Sequence, residues 1–326
     1  LKGNYNGELN MSTTLITGGA GFVGSHLVKR IKPSILFDWR KPGYLFKSSG
    51  RSMELIYEDC EFVRGDVRKP EDLEKCLKLG EIDTVIHLAA IPGVKRCNEN
   101  PELAKEVNIN GTKNVLEFIR KNDIPRVIFA SAAAVYGEIR ERPITEEHPI
   151  NPLNLYAETK VEGEKLCKKY SEEYGLGFTI MRMSNLYGPG FQVKPNLSVV
   201  PRFVLRALLN QPLIIYGDGE QTRDFVYVED IAWAYELALD TREAENQVFN
   251  VGSGRMTSIN ELAEVIRKTM RELYHREVQI ERVEPPSWRR EARGKFDYSI
   301  EKARKLLNYE PRYLLTEGIE SMLKHM

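Results

Sequence analysis

Tyr156-Ala157-Glu158-Thr159-Lys160 sets a phenol and an ammonium four residues apart. On a helix that spacing puts both on one face, one turn from each other. An ammonium beside a phenol favours the phenolate and lowers the tyrosine pKa. The result is a proton acceptor or donor usable near neutral pH. The same spacing is common on solvated helices, so its meaning depends on two other stretches. One is the glycine-rich turn from Gly18 to Gly24, and the other is Ser131 to Gly137.

Those residues need elements to position them. Thr13 to Thr17 is a β-branched run that reads as a buried strand. It leads into Gly18-Gly19-Ala20-Gly21-Phe22-Val23-Gly24. Gly19, Gly21 and Gly24 fit G-x-G-x-x-G, while Gly18, Gly21 and Gly24 fit the looser G-x-x-G-x-x-G. Phe22 to Ile31 predicts a helix. A strand, glycine turn and helix in that order let backbone N–H groups approach a pyrophosphate at the helix N-terminus. The alternative is a tight turn with no ligand. Ser34 to Asp38 predicts a second strand ending in an acid. Asp38 lies about twenty residues after Gly18, where such folds hold the adenosine ribose. A carboxylate there repels a 2′-phosphate and favours NAD over NADP, although Arg40 and Lys41 close by weaken that preference. Trp39 to Ser52 reads as a basic loop.

Further strands are expected at Cys60 to Arg64, Thr84 to His87, Arg126 to Ala130 and Phe178 to Arg182. Helices are expected at Pro70 to Leu79, Glu102 to Lys121 and Leu155 to Tyr174. Small residues at Leu88-Ala89-Ala90 would let a flat cofactor lie close to the backbone. This alternation predicts an α/β protein with a doubly wound parallel sheet. Beyond residue 182 the pattern changes. Asn185 to Gly190 and Gly217 to Gly219 read as turns. Helices are expected at Val199 to Asn210, Asp230 to Leu239, Ser258 to Leu273, Ile300 to Leu307 and Thr316 to Leu323. Leu213 to Tyr216 and Val248 to Val251 read as short strands.

Composition narrows the class of function. Over 326 residues, 42% are hydrophobic and 29% charged, and the formal net charge is zero. That is a soluble globular composition, and it gives no reason to expect a nucleic acid or a membrane surface as partner. No apolar run approaches the roughly 18 to 20 residues that span a bilayer. The polar stretch Leu1 to Asn10 lacks a signal-peptide apolar region, and Met11 is a candidate natural start. Cys60, Cys76, Cys97 and Cys167 have neither metal-ligand spacing nor the density of a disulfide framework. We therefore expect buried thiols, a cytoplasmic location and no metal. His87 reads as a core histidine rather than a catalyst.

Taken in order, these motifs resemble the extended short-chain dehydrogenase/reductase family, and within it the nucleotide-sugar epimerases of the UDP-glucose 4-epimerase kind. The resemblance runs from Thr13 to about Leu315. It rests on Thr17 to Gly24, His87-Leu88-Ala89-Ala90, Val135-Tyr136-Gly137, Tyr156 to Lys160, Arg182 to Pro189 and Ile215 to Val226. It implies a Rossmann domain over 11–182, with later returns near 225–251. A smaller α/β substrate domain would occupy mainly 183–326. It also implies NAD as cofactor, a nucleotide sugar such as a UDP-hexose as ligand, and a homodimer formed through the helices of 100–121 and 155–174. By the same resemblance Gly18, Gly21, Phe22, Val23 and Gly24 hold the NAD pyrophosphate. Asp38 binds the adenosine ribose, Asp66 and Val67 flank the adenine, and Leu88 and Ala89 line the nicotinamide side. Tyr156 is the catalytic base, and Lys160 binds the nicotinamide ribose and lowers the tyrosine pKa. Ser131, Asn185, Tyr216, Arg223 and Arg289 fall to the substrate, with Asn185 and Arg223 on its phosphates. Two of these have structural alternatives: Asn185 as a turn cap, and Arg223 as a surface ion-pair partner of Asp224. Tyr136 reads either as packing or as a substrate wall. Arg290 and Arg293 compete with Arg289, since the usual Arg-Pro-Gly-Asp is absent.

The pattern breaks at Ala132, where the family carries Ser or Thr. Losing one preorganised donor raises a barrier by ~2.7–4 kcal/mol. An introduced Ser-to-Ala change, replacement of the hydroxyl by Ser131 or a water, and a weak or specialised member are the three explanations. Dehydratases that resemble this chain carry Asp-Glu at the places of Ala133 and Ala134, and decarboxylases carry a Glu at the second. Reversible hydride transfer remains, and it suffices for C4 epimerisation of UDP-glucose and UDP-galactose. Another nucleotide-sugar oxidoreductase or dehydratase, and a catalytically silent NAD-binding or sugar-nucleotide-binding protein, are the alternatives.

Overall fold

A computed structural model describes residues 13–41, 60–190, 198–284 and 295–325. The first half runs β1 (Thr13–Thr17), α1 (Gly24–Leu27), β2 (Ser34–Asp38), β3 (Cys60–Arg64), α2 (Pro70–Leu73), β4 (Ile82–His87), α3 (Val94–Glu99), α4 (Pro101–Lys105), α5 (Gly111–Lys121), β5 (Arg126–Ala132), α6 (Leu155–Tyr174) and β6 (Gly177–Met183). The second runs β7 (Asn185–Tyr187), α7 (Val199–Leu208), β8 (Leu213–Tyr216), β9 (Thr222–Tyr227), α8 (Val228–Asp240), β10 (Gln247–Val251), β11 (Met256–Ser258), α9 (Ile259–Tyr274), β12 (Ile280–Val283), α10 (Glu301–Leu307) and α11 (Leu315–His325).

Seven strands make one sheet in the order β10-β6-β5-β4-β1-β2-β3, and every neighbouring pair is parallel. This is a doubly wound α/β sheet. Alternate residues of each strand feed two separate cores, as the period of two requires. Ile16, Leu36, Ile86, Ile128 and Met181 face one side, with Leu27 and Tyr235 from α1 and α8. Leu15, Ile35, Val85, Val127 and Ile180 face the other, with Val115 and Ile119 from α5. Being covered on both faces, β1 and β2 read as apolar runs without alternation. A third core, with Phe203, Phe225, Leu262, Ile266 and Met322, lies around α7, α9 and α11 and two small sheets, β11-β9-β7 and β12-β8.

The strand order reverses between β1 and β4. Sheets of this kind bind ligands in the crevice beyond the carboxyl ends of the strands at that point. The glycine turn leaves β1 there, Leu88-Ala89 leaves β4, and Ala132 ends β5.

Three expectations about elements need correction. The helix expected at Phe22 to Ile31 is regular only over Gly24–Leu27. It continues to Ile31 through mixed hydrogen bonds, Arg30 N to Leu27 O at 2.8 Å and Ile31 N to Leu27 O at 3.0 Å. Pro33 lacks an N–H and disfavours helical backbone in the residue before it, so the helix cannot extend. The single helix expected from Glu102 to Lys121 is split by a π-helical segment, Glu106–Asn110. Asn185 to Tyr187, read as part of a turn, is strand β7, paired in parallel with Phe225 to Tyr227. The pattern also gave no sign of β9, β11 and β12, which are short and pair within small sheets. The expected loop Trp39 to Ser52 lies mostly outside the described residues, as do Leu1 to Met11.

Candidate active site

The cofactor side of the crevice is shaped by close backbone approach. Gly18 has φ +71°, and a Cβ there would lie 2.7 Å from Ala89 N and 2.9 Å from the Leu88 carbonyl carbon. A Cβ on Gly24 would lie 2.6 Å from Gly19 O. Both obstacles are main chain and cannot swing away, so the β1 turn, the β4 turn and α1 meet only because these residues are glycine. Phe22 and Val23 are half-buried at the same turn. Asp38 ends β2 and is 5% exposed. Its Oδ2 accepts from Ala20 N at 3.2 Å and its Oδ1 from Arg40 N at 2.9 Å. Burial pushes this carboxyl up, while the Arg40 amide and guanidinium oppose the rise. Asp66 follows β3 and pairs with Arg68, Nη2 to Oδ2 at 2.5 Å, which holds its carboxyl below the usual range. Val67 is buried, and its carbonyl accepts from Asn114 Nδ2 at 3.0 Å.

The α6 helix delivers the tyrosine–lysine pair. Asn154 caps it, its side chain accepting from Ala157 N at 3.0 Å. Lys160 is buried, and its Nζ donates to Ala130 O at 2.7 Å. The same Nζ lies 6.0 Å from the Tyr156 ring centroid and 5.2 Å from that of Phe129. Burial pulls the Lys160 ammonium down to about 8. Burial also pushes the Tyr156 phenol up, with the Cys97 thiol adding to the rise. That is opposite to the direction the four-residue spacing predicts. The cause is desolvation: both groups lose water on entering the fold, and the ammonium is spent on a backbone carbonyl.

Around this pair the structure sorts the other expected residues. Ala132 is half-buried with extended backbone, φ −147° and ψ 148°. Ser131 points to the opposite face, as neighbours on a strand do. Its Oγ is fully buried and donates to Glu164 Oε1 at 2.5 Å. The expectation of Ser131 as a substrate contact, or as a stand-in for the hydroxyl missing at 132, is therefore corrected. Glu164 also takes a forked pair of bonds from Arg182, at 2.9 and 2.7 Å. Tyr136, fully buried, accepts from Arg182 Nη1 at 2.9 Å and donates to Asn250 Oδ1 at 2.6 Å. It is packing, not a substrate wall. His87 bridges Thr17 Oγ1 at 2.7 Å and Thr112 Oγ1 at 3.0 Å, and burial drives it down to about 3. Thr112 gives its own proton to Asn108 O at 2.7 Å, so His87 Nε2 is the donor and Nδ1 the acceptor. It is a neutral core histidine. Cys76, Cys97 and Cys167 are buried free thiols.

Beyond the sheet, the Asn185 amide donates to Asp224 O at 3.0 Å, which ties β7 to β9. Arg223 is half-buried, and its Nη1 donates to Thr222 O at 2.6 Å. The Asp224 carboxylate is buried and accepts from Ser184 Oγ at 2.6 Å, Ser253 N at 2.8 Å and Gly254 N at 2.7 Å. Asp224 is thus an internal brace rather than a surface ion-pair partner. Tyr216 ends β8, half-buried. Arg289, with Arg290 and Arg293, lies outside the described residues. Among the described residues, no group of three or more His, Cys, Asp or Glu side chains is placed to hold a metal, and no helix is long and apolar enough to cross a membrane.

Sequence reasoning missed Glu164 and Asn108. Glu164 continues the Tyr156–Lys160 spacing by another four residues, which is a signal that could have found it. The Asn108 amide holds both polar groups of the Ile91 backbone, at 2.7 and 3.2 Å, and donates to Thr159 Oγ1 at 3.0 Å. Thr159 in turn donates to Tyr156 O at 2.8 Å. Asn108 thereby joins the loop after β4 to the first turn of α6 from within the π-helical segment.

A doubly wound sheet, a glycine turn at its switch point and a half-buried tyrosine one turn from a buried lysine define a dinucleotide-dependent enzyme of the dehydrogenase type. The model of the NAD dependent epimerase/dehydratase family matches residues 14–252, and the chain belongs to that family. The family's cofactor is NAD. A putative UDP-glucose 4-epimerase of Methanocaldococcus jannaschii is 41% identical over 258 residues, covering 78% of this chain and 81% of the relative. A UDP-N-acetyl-alpha-D-glucosaminuronate decarboxylase of Bacillus cytotoxicus is 32% identical, covering 95% of this chain and 96% of the relative. The crystal structure of a UDP-glucose 4-epimerase from Thermotoga maritima with UDP-glucose superposes with a TM-score of 0.81 at 30% identity, covering 96% of this chain and 98% of the other. The family thus spans more than one reaction on UDP sugars.

Proposed function

We propose that this protein interconverts C4 epimers of a nucleotide sugar, with UDP-glucose and UDP-galactose as the leading pair, and that it works as a cytoplasmic homodimer. The observation that carries the reading is the Tyr156–Lys160 pair at the mouth of α6, beside a β5 end that offers Ala132, Ala133 and Ala134. The cradle fits a dinucleotide: glycines at 18 and 24 that main chain forbids to be anything larger, an acid at the end of β2, and a buried lysine. NAD held there supplies a reversible hydride acceptor. Tyr156 takes the proton of the C4 hydroxyl as the phenolate, a state that burial disfavours and that needs the nearby Lys160 ammonium, and returns it after the 4-keto sugar has turned over. Lys160, fixed on Ala130 O with its ammonium 6.0 Å from the Tyr156 ring centroid, holds the nicotinamide ribose. Asp38 takes the adenosine ribose, with Asp66 and Val67 at the adenine and Leu88 and Ala89 along the nicotinamide. Asn185 and Arg223 anchor the diphosphate so that only the sugar moves, with Tyr216 on the substrate side. Elimination and decarboxylation need a further acid or base, and positions 133 and 134 hold alanine.

The test is incubation with UDP-galactose and catalytic NAD. Formation of UDP-glucose without net NADH is the expected result. A 4-keto-6-deoxy product, or release of carbon dioxide from a UDP-uronic acid, overturns it. Ala132 favours a second reading, a protein that binds NAD and a sugar nucleotide but turns neither over. That reading gains if both ligands bind and an Ala132→Ser variant is equally inert.

A further inference from the structure

His26 is 2% exposed and lies on α1, two residues after Gly24. Its ring stands edge-on to Phe22, with centroids 5.7 Å apart. Nδ1 lies 2.6 Å from Glu229 Oε1, in the first turn of α8, and Nε2 lies 3.0 Å from Pro189 O. Pro189 belongs to the turn that follows Asn185–Tyr187. That turn is already pressed onto α8, because a Cβ on Gly188 (φ +154°) would lie 2.5 Å from Val228 Cγ1. One buried ring therefore touches the glycine turn's helix, the start of α8, and the backbone leading out of β7.

Both partners of the ring can only accept. Pro189 offers a carbonyl. Burial works against the Glu229 charge, but the His26 bond and the cations of Lys29 and Arg30, with Nζ and Nε at 3.5 and 4.0 Å, outweigh it and hold this carboxyl below its usual range. A neutral imidazole has a single N–H and satisfies one acceptor, whereas an imidazolium satisfies both. We infer that His26 is a positioning residue: as the imidazolium it ties the cofactor turn to the 188–190 turn, and so fixes Asn185 for the sugar-nucleotide diphosphate. The inference rests on the proposed role of Asn185. Arg30 is itself held by Glu236 at 2.6 Å.

Two variants separate the bonds. His26→Gln carries an amide donor at the reach of Nε2 and keeps the Pro189 bond; His26→Asn carries one at the reach of Nδ1 and keeps the Glu229 bond. NAD content, Tm, the Kd of UDP by calorimetry, and KM and kcat for UDP-galactose are measured for each. His26→Asn is expected to raise KM and the UDP Kd by about tenfold with kcat nearly unchanged, the size of one lost hydrogen bond. His26→Gln is expected to stay close to wild type. Equal effects of the two variants, or KM changes that merely follow lost NAD and lowered Tm, overturn the inference. A wild-type protein that retains NAD but binds neither UDP nor UDP-galactose overturns the functional reading, and the inference with it.

Discussion

Replacing Ala132 by serine places a hydroxyl where, on the proposed reading, the tyrosine–lysine pair lacks one. Ala132 ends β5 in extended conformation and is half-buried. The neighbouring Ser131 is committed to Glu164 of α6, and the strand period of two sends a side chain at 132 the other way. Two residues back, Ala130 O holds the Lys160 ammonium at 2.7 Å, which fixes the strand end against α6. The new hydroxyl thus sits on a strand already immobilised beside the base, which is the condition for a preorganised donor. One such donor lowers a barrier by about 2.7–4 kcal/mol, or about 10²–10³ in kcat. The added atom costs little, within about 0.5 kcal/mol, because the position is half-buried and its backbone suits any residue. The assay is steady-state conversion of UDP-galactose to UDP-glucose by NAD-loaded protein, with Tm recorded alongside. A rise of two to three orders of magnitude in kcat is expected by the estimate above, with KM nearly constant. A serine variant that folds, binds NAD and turns over no faster than wild type refutes the reasoning.

Lys160→Met is expected to abolish turnover while stabilising the cofactor-free chain. The folded state depresses this lysine from 10.5 to about 8, so between those values the unfolded chain binds more protons and stability rises with pH. Denaturant titration should show that rise in wild type and not in the variant, with a gain at pH 7 of up to ~3 kcal/mol. Gly18→Ala forces a side chain into left-handed backbone, about 1–2 kcal/mol, and onto the Ala89 amide; calorimetry should find NAD binding lost before the fold is. Glu164→Ala strands a buried guanidinium and should cost about 3–5 kcal/mol, whereas Glu164→Leu with Arg182→Met should recover most of it in urea unfolding.

The sequence alone determined what lies in short-range pattern. The glycines at 18, 21 and 24 mark a turn no larger residue fits, the strand–helix alternation dictates a doubly wound sheet, and Tyr156 and Lys160 fall on one helical face by period alone. Each of these follows from a few neighbouring residues and their backbone geometry. Tertiary structure alone decided which way Ser131 faces, because the partner that claims it, Glu164, is on another element. It also decided that Tyr136 is internal, that Asp224 braces β9 rather than pairing at the surface, and that the long helix breaks at Asn108. The phenol shift is likewise a tertiary result, since spacing reports the proximity of a charge but not the water both groups lose. His26 shows the same limit. Glu229 and Pro189 are distant in the chain, and only the fold brings them to the two nitrogens of this histidine.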